Sequence, residues 1–319
     1  LVNEIDRSSN LNDKMIGCTA IVMSGIGYKN IRYLEYGLDL LKKIINSSFD
    51  INYFPKSRNI RQMVFYLKYF VLIRELLKES LNDIPEYLDE IIFYLGKSYV
   101  FFWGSLKQSL LFNGNNNSDN SDFDKYLNLF RYKFKNDKFE TSGYTILKNK
   151  NAILAMDTGS NPGKNYSENY QSGPLSFEFY FKNEKLITNS GYFQDHNHQL
   201  NRISRSTATH STLILDNSSV CSFKKQGKGP FVVSRGFKTF DNQVTYDNNY
   251  WNIKCSHDGY LSRYGVIHQR SLEFYSDKNI IFGKEKLIKK KNFKATNFEI
   301  RFHLLQNIKV PKLQDTNLF

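Results

Sequence analysis

A strand pattern near the middle of the chain restricts the fold more than any other feature. Leu175, Phe177, Phe179 and Phe181 alternate with Ser176, Glu178 and Tyr180. Successive side chains of a strand point to opposite sides, so this alternation predicts a β-strand with one buried face. Residues 182–185 read as a turn, 186–188 begin a second strand, and Asn189-Ser190-Gly191 ends it. Arg202, Arg205 and His210 then lead into a third strand, 211–215. Arginines and a histidine approaching a β edge beside an Asn- and Gly-containing loop suit an anion or a sugar.

Upstream the period changes. Ile31, Leu34, Leu38, Leu41 and Ile45 recur at three and four, and Tyr66, Tyr69, Phe70, Ile73, Leu76 and Leu77 repeat the stripe. Pro85 opens a third helix with Leu88, Ile91, Ile92 and Leu95 on one side. Paired helices with short connections predict an α/α toroid fragment or bundle over residues 1–112. The run NGNNNSDNSDFD from Asn113 is polar and of low complexity, so 113–142 reads as a linker. From Gly143 to the end, short strands separated by Gly, Asn and Asp turns predict an antiparallel β-sandwich over 143–319. The fold class is thus α+β and multidomain.

Lys and Arg total 44 against 31 Asp and Glu, a formal charge of +13 that favours anionic partners. The aromatic residues follow core periodicity rather than interleaving with Lys and Arg, which argues against nucleic acid. Cys18, Cys221 and Cys255 are far apart and form no CxxC pair, so buried free thiols are expected. No apolar run is long enough for a membrane span. The sequence opens at Leu1 without a signal-peptide pattern and stops soon after a strand, so a fragment lacking both ends is expected.

Three segments carry a resemblance. Residues 173–178 (GPLSFE), Asn189-Ser190-Gly191 and residues 205–212 (RSTATHST) resemble, in order and spacing, the sandwich domain of the heparinase II/III family of polysaccharide lyases. Ser57-Arg58-Asn59, residues 111–114 and 257–260 (HDGY) extend the resemblance over nearly the whole chain. It implies β-elimination on an acidic, uronate-containing polysaccharide in a cleft between toroid and sandwich, in a periplasmic or secreted setting.

The same resemblance implies roles residue by residue. Asn12 matches the amide that offsets the substrate carboxylate. The catalytic tyrosine position falls on Gln62, which cannot act as a base. Tyr66, one turn on, is the substitute, and His210 is the histidine partner. Arg58, Asn59, Gln62, Gln171, Arg205, His257 and Tyr260 are expected to line the substrate path. The two histidines of a HAH motif fall on Asn169 and Gln171. A structural zinc of the family would need Gln171, Asn189 and His210; amides are poor zinc ligands, so neither metal nor other cofactor is expected. His196 and His198 read as a solvated loop. Replacement of acid and base positions supports a second reading, a carbohydrate-binding relative without lyase activity.

Overall fold

The computed structural model describes Ile5, Ser8 and residues 10–103, 108–117, 119–227, 229–295, 297–306 and 308–309. The remaining parts of the expected helical region and of the chain's C-terminal end lie outside the described residues. Helices come first: α1 (Leu11–Gly27), α2 (Ile31–Ser48), α3 (Ile60–Glu79), α4 (Glu86–Trp103) and α5 (Ser121–Leu129). Asn10, Asn30 and Asn59 cap the first three, each side chain accepting from backbone N–H groups in the first turn. The α1–α2 pair is close because Gly25 lies against the Leu34 backbone, where a Cβ would come within 2.5 Å of the Leu34 nitrogen. Most of the expected stripe residues are buried; Leu38, Tyr69 and Leu76 are half-buried, and Ile31, which opens α2, is exposed.

The strands form two larger antiparallel sheets and two ribbons. The first sheet contains β1 (Glu140–Thr141), β2 (Tyr144–Lys148), β3 (Ala152–Asp157), β4 (Phe177–Phe181), β5 (Glu184–Thr188) and β14 (His303–Leu304), in the order β1-β2-β3-β4-β5-β14. The second is a meander of β9 (Thr239–Tyr246), β10 (Tyr250–His257), β11 (Val266–Tyr275) and β12 (Ile280–Lys289). One ribbon pairs β6 (Leu213–Leu215) with β13 (Phe298–Ile300), the other β7 (Ser222–Lys225) with β8 (Phe231–Arg235). Short helices α6 (Gln199–Ser204) and α7 (Leu261–Tyr264) join the β elements.

The strand of Phe177 and Phe179 is buried on both faces, not one. Leu175, Phe177 and Phe179 pack with Trp251, Ile253, Leu272 and Phe274 in a core shared by the two sheets. Each such fully buried side chain stabilises by roughly 1.5–3 kcal/mol. On the opposite face, Tyr180 joins Tyr144, Ile146 and Ala155 in the core of the helical layer. Glu178 also points that way and is tolerated because Lys185 Nζ lies 2.7 Å away and the Asn189 N–H donates to Glu178 Oε1. Helices, first sheet and second sheet are therefore three stacked layers.

The run from Asn113, expected as an exposed connection, is built into the helical layer. Asn113 and Asn115 are buried, and α5 places Phe123 and Leu127 in the helical core. Near the C-terminal end of the described residues, β13 and β14 follow closely in sequence yet serve different sheets. Among the described residues, no helix is long and apolar enough to cross a membrane.

Candidate functional site

The N-termini of α1 and α3 meet. Asn10 caps α1 and fixes Asn12 in its first turn; Asn59 caps α3 and fixes Gln62 in its first turn. Gln62 Nε2 donates to Asn12 Oδ1 at 3.3 Å, and Ser57 Oγ donates to Gln62 Oε1 at 2.5 Å. Two helix N-termini carry partial positive charge to one place, which favours an anion there. Gly114 packs over the Asn59 amide with φ +76°; a Cβ at that position would lie 2.2 Å from Asn59 Nδ2.

Opposite these amides stand residues of the β layers. Tyr192 OH donates to Asn169 Oδ1 at 2.9 Å and lies 3.4 Å from His196 Nδ1. His196 Nε2 is 3.9 Å from Glu168 Oε1. Burial pushes the Tyr192 phenol above its ordinary pKa. Between the two sets runs a cleft of about 730 Å³, whose lining adds Arg61 and Lys68, Asp119 and Asp122, and the aromatic walls Phe65 and Tyr126.

Of the residues expected at the site, Asn12, Asn59 and Gln62 are together in this lining. Gln171 lies directly behind it. Its Oε1 accepts from the Gly114 N–H, and its Nε2 donates to the Gly191 and Ser204 carbonyls. It positions the wall rather than facing the cleft.

The others are elsewhere, each for a physical reason. Tyr66 is fully buried, edge-on to Phe49 and stacked on Phe70 in the helical core, so it cannot replace the tyrosine that Gln62 lacks. Arg58 reaches across to the first sheet. It donates to the Ser142, Gly143 and Ser160 carbonyls and pairs with buried Asp157 at 2.6 Å. Arg205 is similarly spent on the Tyr170, Phe231 and Ser167 carbonyls, its guanidinium 4.2 Å from the Phe223 ring centre. His257 Nε2 lies 3.0 Å from His268 Nδ1 inside the second sheet, and Tyr260 OH donates to the Leu213 carbonyl. Both are buried away from the cleft.

His210 is also buried, under Gly173, where a Cβ would meet the imidazole at 2.7 Å. Burial first, then His303, lower its pKa to about 3, so the ring is neutral. It cannot exchange protons with a substrate it cannot reach. A zinc ion does not fit the expected position either. The Gln171 amide is committed to three backbone partners, and Asn189 Oδ1 accepts from the Ser211 N–H. Among the described residues, no group of three or more His, Cys, Asp or Glu side chains is placed to hold a metal.

Sequence reasoning did not single out Tyr192 and read His196 only as part of a solvated loop. Tyr192 follows the Asn189-Ser190-Gly191 turn, and its N–H donates to the Asn115 carbonyl. That bond belongs to a loop pairing without local signature. His198, expected with His196 in a solvated loop, is exposed there and caps α6 by accepting from the Leu200 N–H.

Comparison with known proteins agrees with this architecture. Residues 133–318, more than half of the chain, match the family model described as Heparinase II/III-like, C-terminal. The structure is similar to the crystal structure of a heparan sulfate lyase HepC mutant from Pedobacter heparinus, with TM-score 0.68 and 15% identity over 86% of this chain and 45% of that one. It is similar also to a crystal structure of heparinase III, with TM-score 0.69 and 14% identity over 89% of this chain and 48% of that one. The chain thus spans less than half the length of these neighbours, and the identities speak for the fold alone. No curated protein matches the chain in sequence. On the strength of the family match across its β layers, the chain belongs to the heparinase II/III-like family.

Proposed function

We propose that the cleft receives an acidic, uronate-containing polysaccharide and that the chain supplies lyase-type β-elimination there. One observation carries the reading: the Asn12–Gln62 amide pair, at two converging helix N-termini, faces Asn169, Tyr192 and His196 across the cleft. In β-elimination the proton at C5 becomes removable once the adjoining carboxylate charge is offset. Asn12, with its Oδ1 accepting from Gln62, presents amide hydrogens for that purpose. Arg61 and Lys68 in the lining are balanced by Asp119 and Asp122, so it is the formal charge of +13 over the chain that favours an anionic strand. The helical layer is read as an arc of an α/α toroid, and the two sheets as the sandwich that closes its cleft. One neighbour is by name a heparan sulfate lyase, so sulfated glycosaminoglycans lead the list of polymers. Such polymers are met outside the cytoplasm, hence a periplasmic or secreted location.

A second reading rests on the replacements themselves. Gln62 and Asn169 are neutral amides where the resemblance calls for a tyrosine and a histidine, and both are held in hydrogen bonds. That arrangement suits a binding protein without turnover. The two readings separate on one experiment. The purified protein is incubated with a panel of uronate polysaccharides while ultraviolet absorbance of unsaturated ends and polymer affinity are both recorded. Turnover that falls about 100-fold or more in Asn12→Ala supports the lyase. Salt-sensitive binding without product supports the second reading. Neither binding nor product refutes both.

A further inference from the structure

The replacements leave β-elimination without its expected proton carriers, and the cleft contains a set of groups able to take over. Two phenols are in its lining, Tyr126 and Tyr192. Tyr126 donates to the Lys68 carbonyl. Tyr192 instead sits between an acceptor, Asn169 Oδ1 at 2.9 Å, and the imidazole of His196 at 3.4 Å. His196 in turn has Glu168 at 3.9 Å on its other nitrogen, and its side chain is 43% exposed. Carboxylate, imidazole, phenol and amide thus form a line from solvent into the cleft.

We propose that Tyr192 is a catalytic residue, the proton-transfer group of this cleft, with His196 as its proton store and Asn169 as its positioning residue. This rests on the lyase reading given above. The steps balance. The Tyr192 hydroxyl proton moves to His196 Nδ1, and the imidazolium is stabilised by Glu168. The Tyr192 phenolate removes the C5 proton of the uronate. The electron pair of the C5–H bond forms the C4–C5 double bond, and the C4–O4 bond breaks with its pair on oxygen. The new Tyr192 hydroxyl gives its proton to O4, and His196 returns a proton to the phenolate. No oxidant, metal or further co-reactant enters. Burial and Glu168 disfavour a phenolate, while Asn201 and Arg205 oppose them, which is why Tyr192 requires a basic neighbour.

The test uses the whole chain and the polymer found to be turned over. Tyr192→Phe, His196→Gln and Asn169→Ala are compared with wild type for kcat, KM, polymer affinity, melting temperature and pH profile. Tyr192→Phe is expected to lose at least about 100-fold in kcat with affinity within about threefold and an unchanged melt. His196→Gln is expected to lose about tenfold in kcat with polymer affinity within about threefold. Asn169→Ala lowers kcat, and Asn169→Gln restores part of it. Tyr192→Phe turning over within threefold of wild type overturns the inference while leaving the lyase reading intact. Equal losses of affinity and turnover in Tyr192→Phe overturn it too. Wild type that binds polymer without product overturns both the inference and the lyase reading.

Discussion

Replacing Arg58 by alanine should unfold the protein more readily and leave the cleft chemistry largely untouched. The guanidinium is almost fully enclosed, ion-paired with Asp157 and donating to two carbonyls of the β1–β2 turn and one of the loop after β3, and it lies 4.4 Å from the Tyr144 ring centre. Truncation leaves the Asp157 carboxylate buried with the Asn113 amide and the Gly159 N–H as remaining partners. Removing one member of a buried pair costs about 3–5 kcal/mol. An unfolding entropy of roughly 2.1 cal/mol/K per residue gives about 0.7 kcal/mol/K for a chain of 319 residues. A loss of about 4 kcal/mol therefore lowers the melting temperature by about 6 °C if the layers unfold together. Calorimetry on wild type, Arg58→Ala, Asp157→Asn and the double variant measures this directly. The cycle should return a coupling of about 2 kcal/mol or more, with Arg58→Lys intermediate because one ammonium cannot reach all four acceptors. An Arg58→Ala protein that melts within about 1 °C of wild type and has lost polymer affinity would refute the reasoning. Arg58 would then be a substrate ligand, as its sequence position suggests.

Two further outcomes follow from buried groups. The folded pKa of His210, about 3, lies below the unfolded value of roughly 6.5, so the unfolded chain binds the extra proton between them. Stability from this group is fully present above about pH 6.5 and is lost as pH falls toward about 3, amounting to about 2 kcal/mol by pH 5. His210→Phe, which removes two ring nitrogens without hydrogen-bond partners, should match or exceed wild-type stability at pH 7 and narrow the pH 7-to-5 difference in urea titrations; an unchanged difference would contradict the assignment. Cys18, Cys221 and Cys255 are buried, and burial pushes each thiol up to about 12. A disulfide reagent at pH 8 should therefore label none of them in the native protein and all three in denaturant. Rapid native labelling of any one would show that its surroundings open.

The helices were legible because their apolar residues recur at the helical period, and the strand of Phe177 and Phe179 because it alternates. Its second buried face was not legible. Glu178 reads as a solvent-facing residue until Lys185, seven positions away in sequence, is seen to neutralise it inside the layer contact. The site divided along a similar line. Asn12, Asn59 and Gln62 come together in the cleft lining because each sits in or beside a helix cap whose spacing is local. Arg58, Arg205, His210 and His257 lie buried outside the cleft lining, and a polar side chain near a loop looks the same in sequence whether it serves a ligand or its own backbone. Tyr192 and His196 depend on a loop that meets residues 114–115 and on the long-range clamp by Gln171, and neither has a local pattern.

That layered contact also sets how the molecule can move. Tyr144, Ile146, Ala155 and Tyr180 of the first sheet are part of the helical core, and Arg58, Lys185 and Gln171 fasten backbone segments across the same boundary. Rotating one layer against the other would break an apolar core and several buried polar bonds at once, so the boundary does not act as a hinge. The packing of the layers thus resists a change in the cleft's aperture. If the cleft receives a polymer, as proposed, the separation of the Asn12 and Tyr192 walls bears on which chain thickness is admitted.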